Sequence, residues 1–324
     1  MKAMVYREYW PPEDVLKLED IEKPEPKDDE VLLRVHAGSV NPLDSHIMTT
    51  IVGKLMNLRE PKDKVPGRDV SGVIEAVGKK VTRFKPGDEV FGCCGRAFAE
   101  YACASESKLA AKPGNVTHQQ AASMPIAGLT ALQAFRDAAK LQTGQTVLIN
   151  GASGGVGTFA VQIAAAMFGA DVTAVCSTRN VEMVRSRGAN SVIDYTLEDF
   201  TQTGETYDVI FDLVAELPLS AYRRALVPEG VYVGAGMLGK PLSVTAIAGA
   251  MLRTYATRPF ITQKVPSFMA KVEPKDLAIL ADLVSTGKIT PVIDRTYQLT
   301  DTADAIRYVR EKHAKGKVVI TFEI

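Results

Sequence analysis

From residue 1 to about 125 the chain alternates short runs of apolar and polar positions. These runs are "EVLLRVHAGSV", "VSGVIEAV", "DEVFG" and "FAEYACAS", and segments such as "EKPEPKDDE", "FKPGDE" and "KPGN" separate them. β-type runs punctuated by Pro and Gly predict an irregular, mostly antiparallel β unit. From about 125 to 273 the texture changes. The apolar runs "TVLIN", "DVTAVC", "SVID", "YDVIFDLV" and "GVYVGAG" alternate with helical patterns. Such alternation predicts a parallel sheet covered by helices on both faces. Beyond it, "EPKDLAILADLVSTGKI" reads as a helix, and "PVIDRTYQL", "TADAIRYVREKH" and "GKVVITFEI" return to mixed strand and helix, expected to fold back onto the first unit. The expected division is residues 1–124 with 274–324, and residues 125–273 between them.

Composition narrows the partners. Thirty-eight Lys and Arg balance thirty-eight Asp and Glu. That balance lacks the basic footprint of a protein bound to nucleic acid or an anionic membrane, and it favours a small-molecule partner. The opening "MKAMVYREYW" has no apolar core of a secretory signal, and the tract "VTAIAGAML" at 244 to 252 is too short to span a bilayer. A cytoplasmic setting is expected. Cysteines 93, 94, 103 and 176 suit reduced thiols, since two of them are adjacent.

The stretch "LINGASGGVGTFAVQIAAA", 148 to 166, carries the most specific chemistry. A buried strand is followed by Gly151, Gly154 and Gly157, with Ser153, Gly155 and Val156 between them. Val156, Phe159, Ala160, Ile163, Ala164 and Met167 then recur at helical spacing, predicting a helix with one buried face. Glycines let backbone approach a pyrophosphate, and the helix N-terminus offers free N–H groups and a positive dipole end. A dinucleotide is therefore expected here. An NAD site usually places Asp or Glu at the end of the next strand, about 20 residues past the glycines, to hold the ribose 2′-hydroxyl. Here that position reads Cys176, Ser177, Thr178, Arg179, Asn180, with no acid. Two hydroxyls and a guanidinium suit a 2′-phosphate, so the expected cofactor is NADPH. The alternative is that Arg179 only caps an exposed helix start.

These segments together resemble the medium-chain dehydrogenase/reductase superfamily, in its zinc-independent quinone oxidoreductase branch. The resemblance runs nearly end to end. It is carried by "AGSVNPLD" at 37 to 44, "VPGRDVSGVIEAVG" at 65 to 78, "FKPGDEVFG" at 84 to 92 and "AGLTALQAF" at 127 to 135. "VLINGASGGVG" at 147 to 157, "STRNVEMVRSRGA" at 177 to 189, "VIDY" at 192 to 195 and "GKVVI" at 316 to 320 complete it. It implies an α/β fold, a Rossmann doubly wound parallel sheet plus a GroES-like, mostly antiparallel β domain, with a cleft between them and a homodimer formed through Rossmann strands. It places the phosphates near Ser153 to Gly157, the 2′-phosphate near Ser177 and Arg179, and the adenosine near Tyr195. The nicotinamide falls near Asn41, Thr130 and the turn from Gly234 to Gly236, and Leu213 and Lys317 join the cofactor set. On its own residue type Tyr195 reads as a half-buried aromatic at a strand end.

The same resemblance bears on metal. Zinc alcohol dehydrogenases of the superfamily have Cys where this chain has Asn41, and a His-Glu pair where it has Arg68 and Asp69. An arginine cation at a ligand position opposes a divalent metal. The four-cysteine structural lobe is missing, and Cys93 and Cys94 lack metal-ligand spacing, so no metal is expected. Without a Lewis acid, the implied chemistry is hydride transfer from NADPH to a quinone or an α,β-unsaturated carbonyl, which needs orientation, exclusion of water and enolate stabilisation. Asn41 is the candidate catalytic residue. Asp44 reads as loop support, and Tyr6, His46 and Tyr255 as acids or as structural residues. The segment 246 to 268, with Arg253, Arg258 and Lys264, reads as a cleft lining rather than a membrane-surface helix. Two other functions stay open: zinc-type alcohol dehydrogenase activity, and NADPH binding without turnover. No nucleic-acid partner is expected.

Overall fold

The computed structural model describes residues 1–8, 11–49, 64–235, 262–311 and 314–322. Its strands are β1 (Lys2–Val5), β2 (Lys17–Asp20), β3 (Glu30–Val40), β4 (Asp69–Val77), β5 (Glu89–Cys93), β6 (Tyr101–Ser105) and β7 (Leu109–Ala111). Then follow β8 (Thr146–Asn150), β9 (Asp171–Cys176), β10 (Ser191–Asp194), β11 (Tyr207–Asp212), β12 (Leu226–Gly234), β13 (Ile293–Gln298) and β14 (Lys317–Thr321).

The chain divides into two compact units, residues 1–129 with 271–324, and residues 130–270. The first is built on a sheet in the order β13-β14-β3-β4-β5-β7, with β6 also paired to β3; β13 and β14 run parallel, and the other pairs are antiparallel. β14 pairs with β3 in the register Val318 to Val40, so the end of the sequence completes the sheet that its beginning starts. β3 is buried along most of its length, and its Leu33, Val35 and Val40 share a core with Phe98 and Leu109. The first unit ends inside helix Pro125–Gln133. The start of that helix is tied to the first unit, because a Cβ at Gly128 would lie 2.8 Å from Leu280 of helix Pro274–Ser285.

The second unit is a parallel sheet in the order β10-β9-β8-β11-β12. This is the Rossmann doubly wound α/β arrangement, and the first unit is the GroES-like, mostly antiparallel domain. The strand order reverses direction between β8 and β11, and ligands of such sheets sit at the carboxyl ends of the strands at that point. Helix Gly155–Phe168 follows β8. It is buried all round from Gly157 to Ala164, rather than on one face, and Met167 is exposed, which corrects the periodic reading. Among the described residues no helix is long and apolar enough to cross a membrane.

One half-buried pair in the first unit, not singled out from sequence, gives a pH prediction. The His36 and His118 rings stack with centroids 4.3 Å apart. His118 Nδ1 bonds Ser71 Oγ at 2.8 Å, while Glu89 lies 3.3 Å from its other nitrogen. Burial first, and the neighbouring His36 second, push the His118 imidazole down to about 4, against the pull of Glu89. The unfolded chain takes up a proton below about 6.5 that the folded chain refuses until about 4, so His118 withdraws stability as pH falls through that window. Buried Asp44 slopes the other way, so a difference isolates the effect. His118→Gln should gain about 2 kcal/mol on the native protein between pH 7 and pH 4.5 in urea unfolding. A difference independent of pH would contradict the assignment.

Candidate active site

In the first unit the site begins at helix Pro42–Thr49. Proline suits the first helical position, where no N–H is required. Asp44, two positions on, reaches back so that the Asn41 N–H donates to Asp44 Oδ2 at 2.7 Å. The Asn41 side chain turns instead to the sheet. Its Nδ2 donates to Asp69 Oδ2 at 2.9 Å, and its Oδ1 accepts from Lys317 Nζ at 2.7 Å. Lys317 Nζ also lies 3.3 Å from Asp69 Oδ2, with side-chain exposures of 3% and 0%. Asp69 further accepts from Ser39 Oγ at 2.8 Å and from the Ile126 N–H at 3.0 Å. A buried ion pair survives desolvation only when its remaining lone pairs are filled, and these donors fill them. Burial, and then the Asp69 charge, push the Cys93 thiol well up, so the proton stays on sulfur. Burial pushes the Asp44 carboxyl up to about 7, opposed by the Asn41 N–H.

A cavity of about 570 Å³ in the same unit borders this cluster, with Asp44, Arg68, Cys93 and Ile126 in its wall. Arg68 is exposed there, and the buried cation beside Asn41 and Asp69 is Lys317. Among the described residues, no group of three or more His, Cys, Asp or Glu is arranged to hold a metal ion.

In the second unit, β8 delivers the chain into Gly151, which adopts φ +87°. The N–H groups of Gly151 and Ala152 donate to Val175 O of β9 at 3.2 and 3.1 Å, and this anchors the loop to the neighbouring strand. Helix Gly155–Phe168 then starts at Gly154, which has no side chain to cap it. The first-turn N–H groups have no partner within the helix, which is the arrangement that receives an anion. Asn180 bridges two segments: its Nδ2 donates to Ser153 Oγ at 3.0 Å and to Ser177 Oγ at 3.1 Å. Its buried Oδ1 has no partner among the described residues. The glycine cradle, the open helix end and the unpartnered acceptor fit a bound dinucleotide.

Known proteins match over this whole frame. Residues 27–125 match the alcohol dehydrogenase GroES-like domain, and residues 187–320 match the zinc-binding dehydrogenase family. A quinone-oxidoreductase homolog of Spinacia oleracea is 32% identical, over 99% of this chain and 98% of its own. The chain belongs to the medium-chain dehydrogenase/reductase superfamily, in its quinone oxidoreductase branch. An NADPH-dependent alkenal/one oxidoreductase of Arabidopsis thaliana is 34% identical over 99% of this chain and 79% of its own. The structure of a quinone oxidoreductase from Coxiella burnetii superposes with a TM-score of 0.88 at 31% identity, covering 100% and 99% of the two chains.

For a medium-chain reductase, the residues named from sequence form two groups. Asn41 and Lys317 meet in the first unit. Gly151, Ser153, Gly154, Gly155, Val156, Gly157 and Ser177 lie along the loop and helix start of the second. Leu213 sits over Gly151, its Cβ 3.3 Å from where a side chain there would begin, and its N–H donates to Asn150 O at 3.0 Å. Gly234 closes β12 opposite Asp212 of β11. Thr178 Oγ1 lies 3.1 Å from Thr196 Oγ1, and Arg179 is exposed beside it. Tyr195 is 63% exposed just after β10. Thr130, in helix Pro125–Gln133, opens the second unit. Gly236, Tyr255, Arg253 and Arg258 lie outside the described residues. Tyr6 is buried and lines the cavity, whereas His46 is half-buried. Sequence reasoning missed two residues. One is the bridging Asn180. The other is Asp194, an acid on β10 whose carboxylate is held low first by its hydrogen bond with Thr178, burial opposing. Its neighbourhood to Cys176 comes from strand pairing, not from chain distance.

Proposed function

We propose that this chain is an NADPH-dependent, zinc-independent reductase of quinones or α,β-unsaturated carbonyls. The observation that carries the reading is the Lys317 ammonium bonded to Asn41 Oδ1 beside Asp69. A fixed cation among those donors competes with a divalent metal, and the thiol of Cys93 stays protonated. The names of the alkenal/one and quinone relatives support the acceptor class. When bound, NADPH supplies the hydride.

The chain's own residues then bind and orient. The first-turn N–H groups after Gly154 receive the pyrophosphate, and Ser177, Thr178 and Arg179 the 2′-phosphate. Lys317 and Asp69 hold the Asn41 amide in one orientation. An activated acceptor needs no strong acid–base pair. The proposal keeps a homodimer and a cytoplasmic setting; the two plant relatives are named as chloroplastic.

The test is NADPH oxidation against quinones, alkenals, cyclic enones and simple aldehydes, with NADH and a zinc chelator as controls. Chelator-resistant turnover of quinones or enones is expected. Chelator-sensitive alcohol or aldehyde turnover would overturn the reading, and silence throughout would favour binding without turnover. In the same assay Arg179→Ala should raise the KM for NADPH about tenfold and leave that for NADH nearly unchanged, the loss of one charge-assisted phosphate contact. Equal effects on both would remove Arg179 from the 2′-phosphate site.

A further inference from the structure

The cavity beside Asn41 and Asp69 has an unusual charge balance. Among the described residues its wall carries Lys64, Arg68, Arg96 and Lys108, against Asp44 as its acid. Elsewhere in the first unit Arg7 meets Glu19, Arg307 meets Asp304 and Arg310 meets Glu13, while Arg83 bonds the backbone oxygens of Glu106 and Leu109 and Arg295 lies over the Tyr308 ring. Among the described residues Arg68, Arg96 and Lys108 form no close ion pair with a carboxylate, although the Arg68 charge does reach Asp44 across the cavity. Burial pushes the Asp44 carboxyl up to about 7, so near neutrality it carries only part of a negative charge. Asp69, behind the wall, is already matched by Lys317. The space of about 570 Å³ is that of a small-molecule site, and walls of one sign concentrate ligands of the other.

We propose that the acceptor reduced by this protein carries an anionic group, a carboxylate, sulfonate or phosphate, held by Arg68, Arg96 and Lys108. This rests on the reductase reading above and narrows it to acidic quinones or enones. Guanidinium groups suit such anions because they donate in a planar fork, and three cations around one mouth also speed capture at low salt.

The probes are naphthoquinone sulfonate and naphthoquinone, compared at saturating NADPH in the native protein and in Arg96→Gln/Lys108→Gln. Both positions are exposed, so the variant is expected to fold, checked by its melting temperature. The native protein should favour the sulfonate by about tenfold in kcat/KM, a preference reduced by salt and largely lost in the variant. An equal preference in both proteins would overturn the inference while leaving the reductase reading intact. So would a variant whose NADPH KM rises while its acceptor KM stays fixed, since the cations would then serve the cofactor. Calorimetric titration of the NADPH-loaded protein separates the two failures. If neither quinone is reduced, the reductase reading falls. Tighter binding of the sulfonate, weakened in the variant, would still uphold the anion site, and equal binding of both quinones would overturn it.

Discussion

Lys317→Met is expected to cost about 3–5 kcal/mol of stability, because it leaves the fully buried Asp69 carboxylate without its cation. Methionine keeps the lysine stem as far as Cε and is apolar, so the loss is chiefly that of the ammonium. Ser39 Oγ, Asn41 Nδ2 and the Ile126 N–H remain as donors to Asp69, but no neutral donor replaces the ammonium. Adding Asp69→Asn to Lys317→Met should restore at least half of the loss, since the second change removes the stranded charge and keeps the side-chain shape. Urea unfolding of the native protein, both single variants and the double variant measures the coupling. A single-variant cost below about 1 kcal/mol would mean that the pair behaves as a solvated surface bridge. Turnover should fall with stability held aside, because Asn41 Oδ1 loses its donor and the amide is free to turn. Asn41→Ala should likewise lower turnover with little change in NADPH affinity; unchanged rates would remove Asn41 from the site.

That cluster also marks how far the sequence could be read. The order of strand, glycine loop and helix at 146–168 is local, so periodicity and glycine spacing placed it without reference to the rest of the chain. Asn41, Asp69 and Lys317 come together through sheet pairing alone: β14 lies on β3, and β3 on β4, so residues from both ends of the chain become neighbours. No local pattern contains a register between distant strands. The resemblance named Lys317, but its bond to Asn41 became visible only in the fold. The same holds for Asp194 beside Cys176 and for the ring contact of His36 with His118. The helix misread as one-sided has a related cause. Small residues such as Ala160 and Ala164 are apolar enough to be buried on any face, so composition alone does not show which neighbours close over Thr158, Val161 and Gln162.

Gly157→Ala should weaken NADPH binding by a route that Gly154→Ala does not share. A Cβ at Gly157 would stand 2.2 Å from Gly151 O and 2.6 Å from the Ala152 carbonyl carbon, and both obstacles are backbone. The loop must move, at about 1–3 kcal/mol for overpacking a tight contact. Displacing the phosphate-binding N–H groups by about 1 Å should lower affinity about a hundredfold. Among the described residues the near atom at Gly154 is Gly151 O at 3.5 Å, an ordinary contact, and its backbone, φ −80° and ψ 179°, is open to any residue. Alanine there should leave stability within about 0.5 kcal/mol. NADPH should nevertheless bind more weakly, because the new methyl occupies space that the native loop leaves clear at the helix start. Thermal unfolding without ligand and fluorescence titration with NADPH separate the two. Loss of stability only in Gly157→Ala, with weaker binding in both, assigns Gly157 to close packing of helix on loop and Gly154 to approach of the ligand. Full NADPH affinity in Gly154→Ala would move the pyrophosphate away from this helix start, and with it the proposed role of the loop.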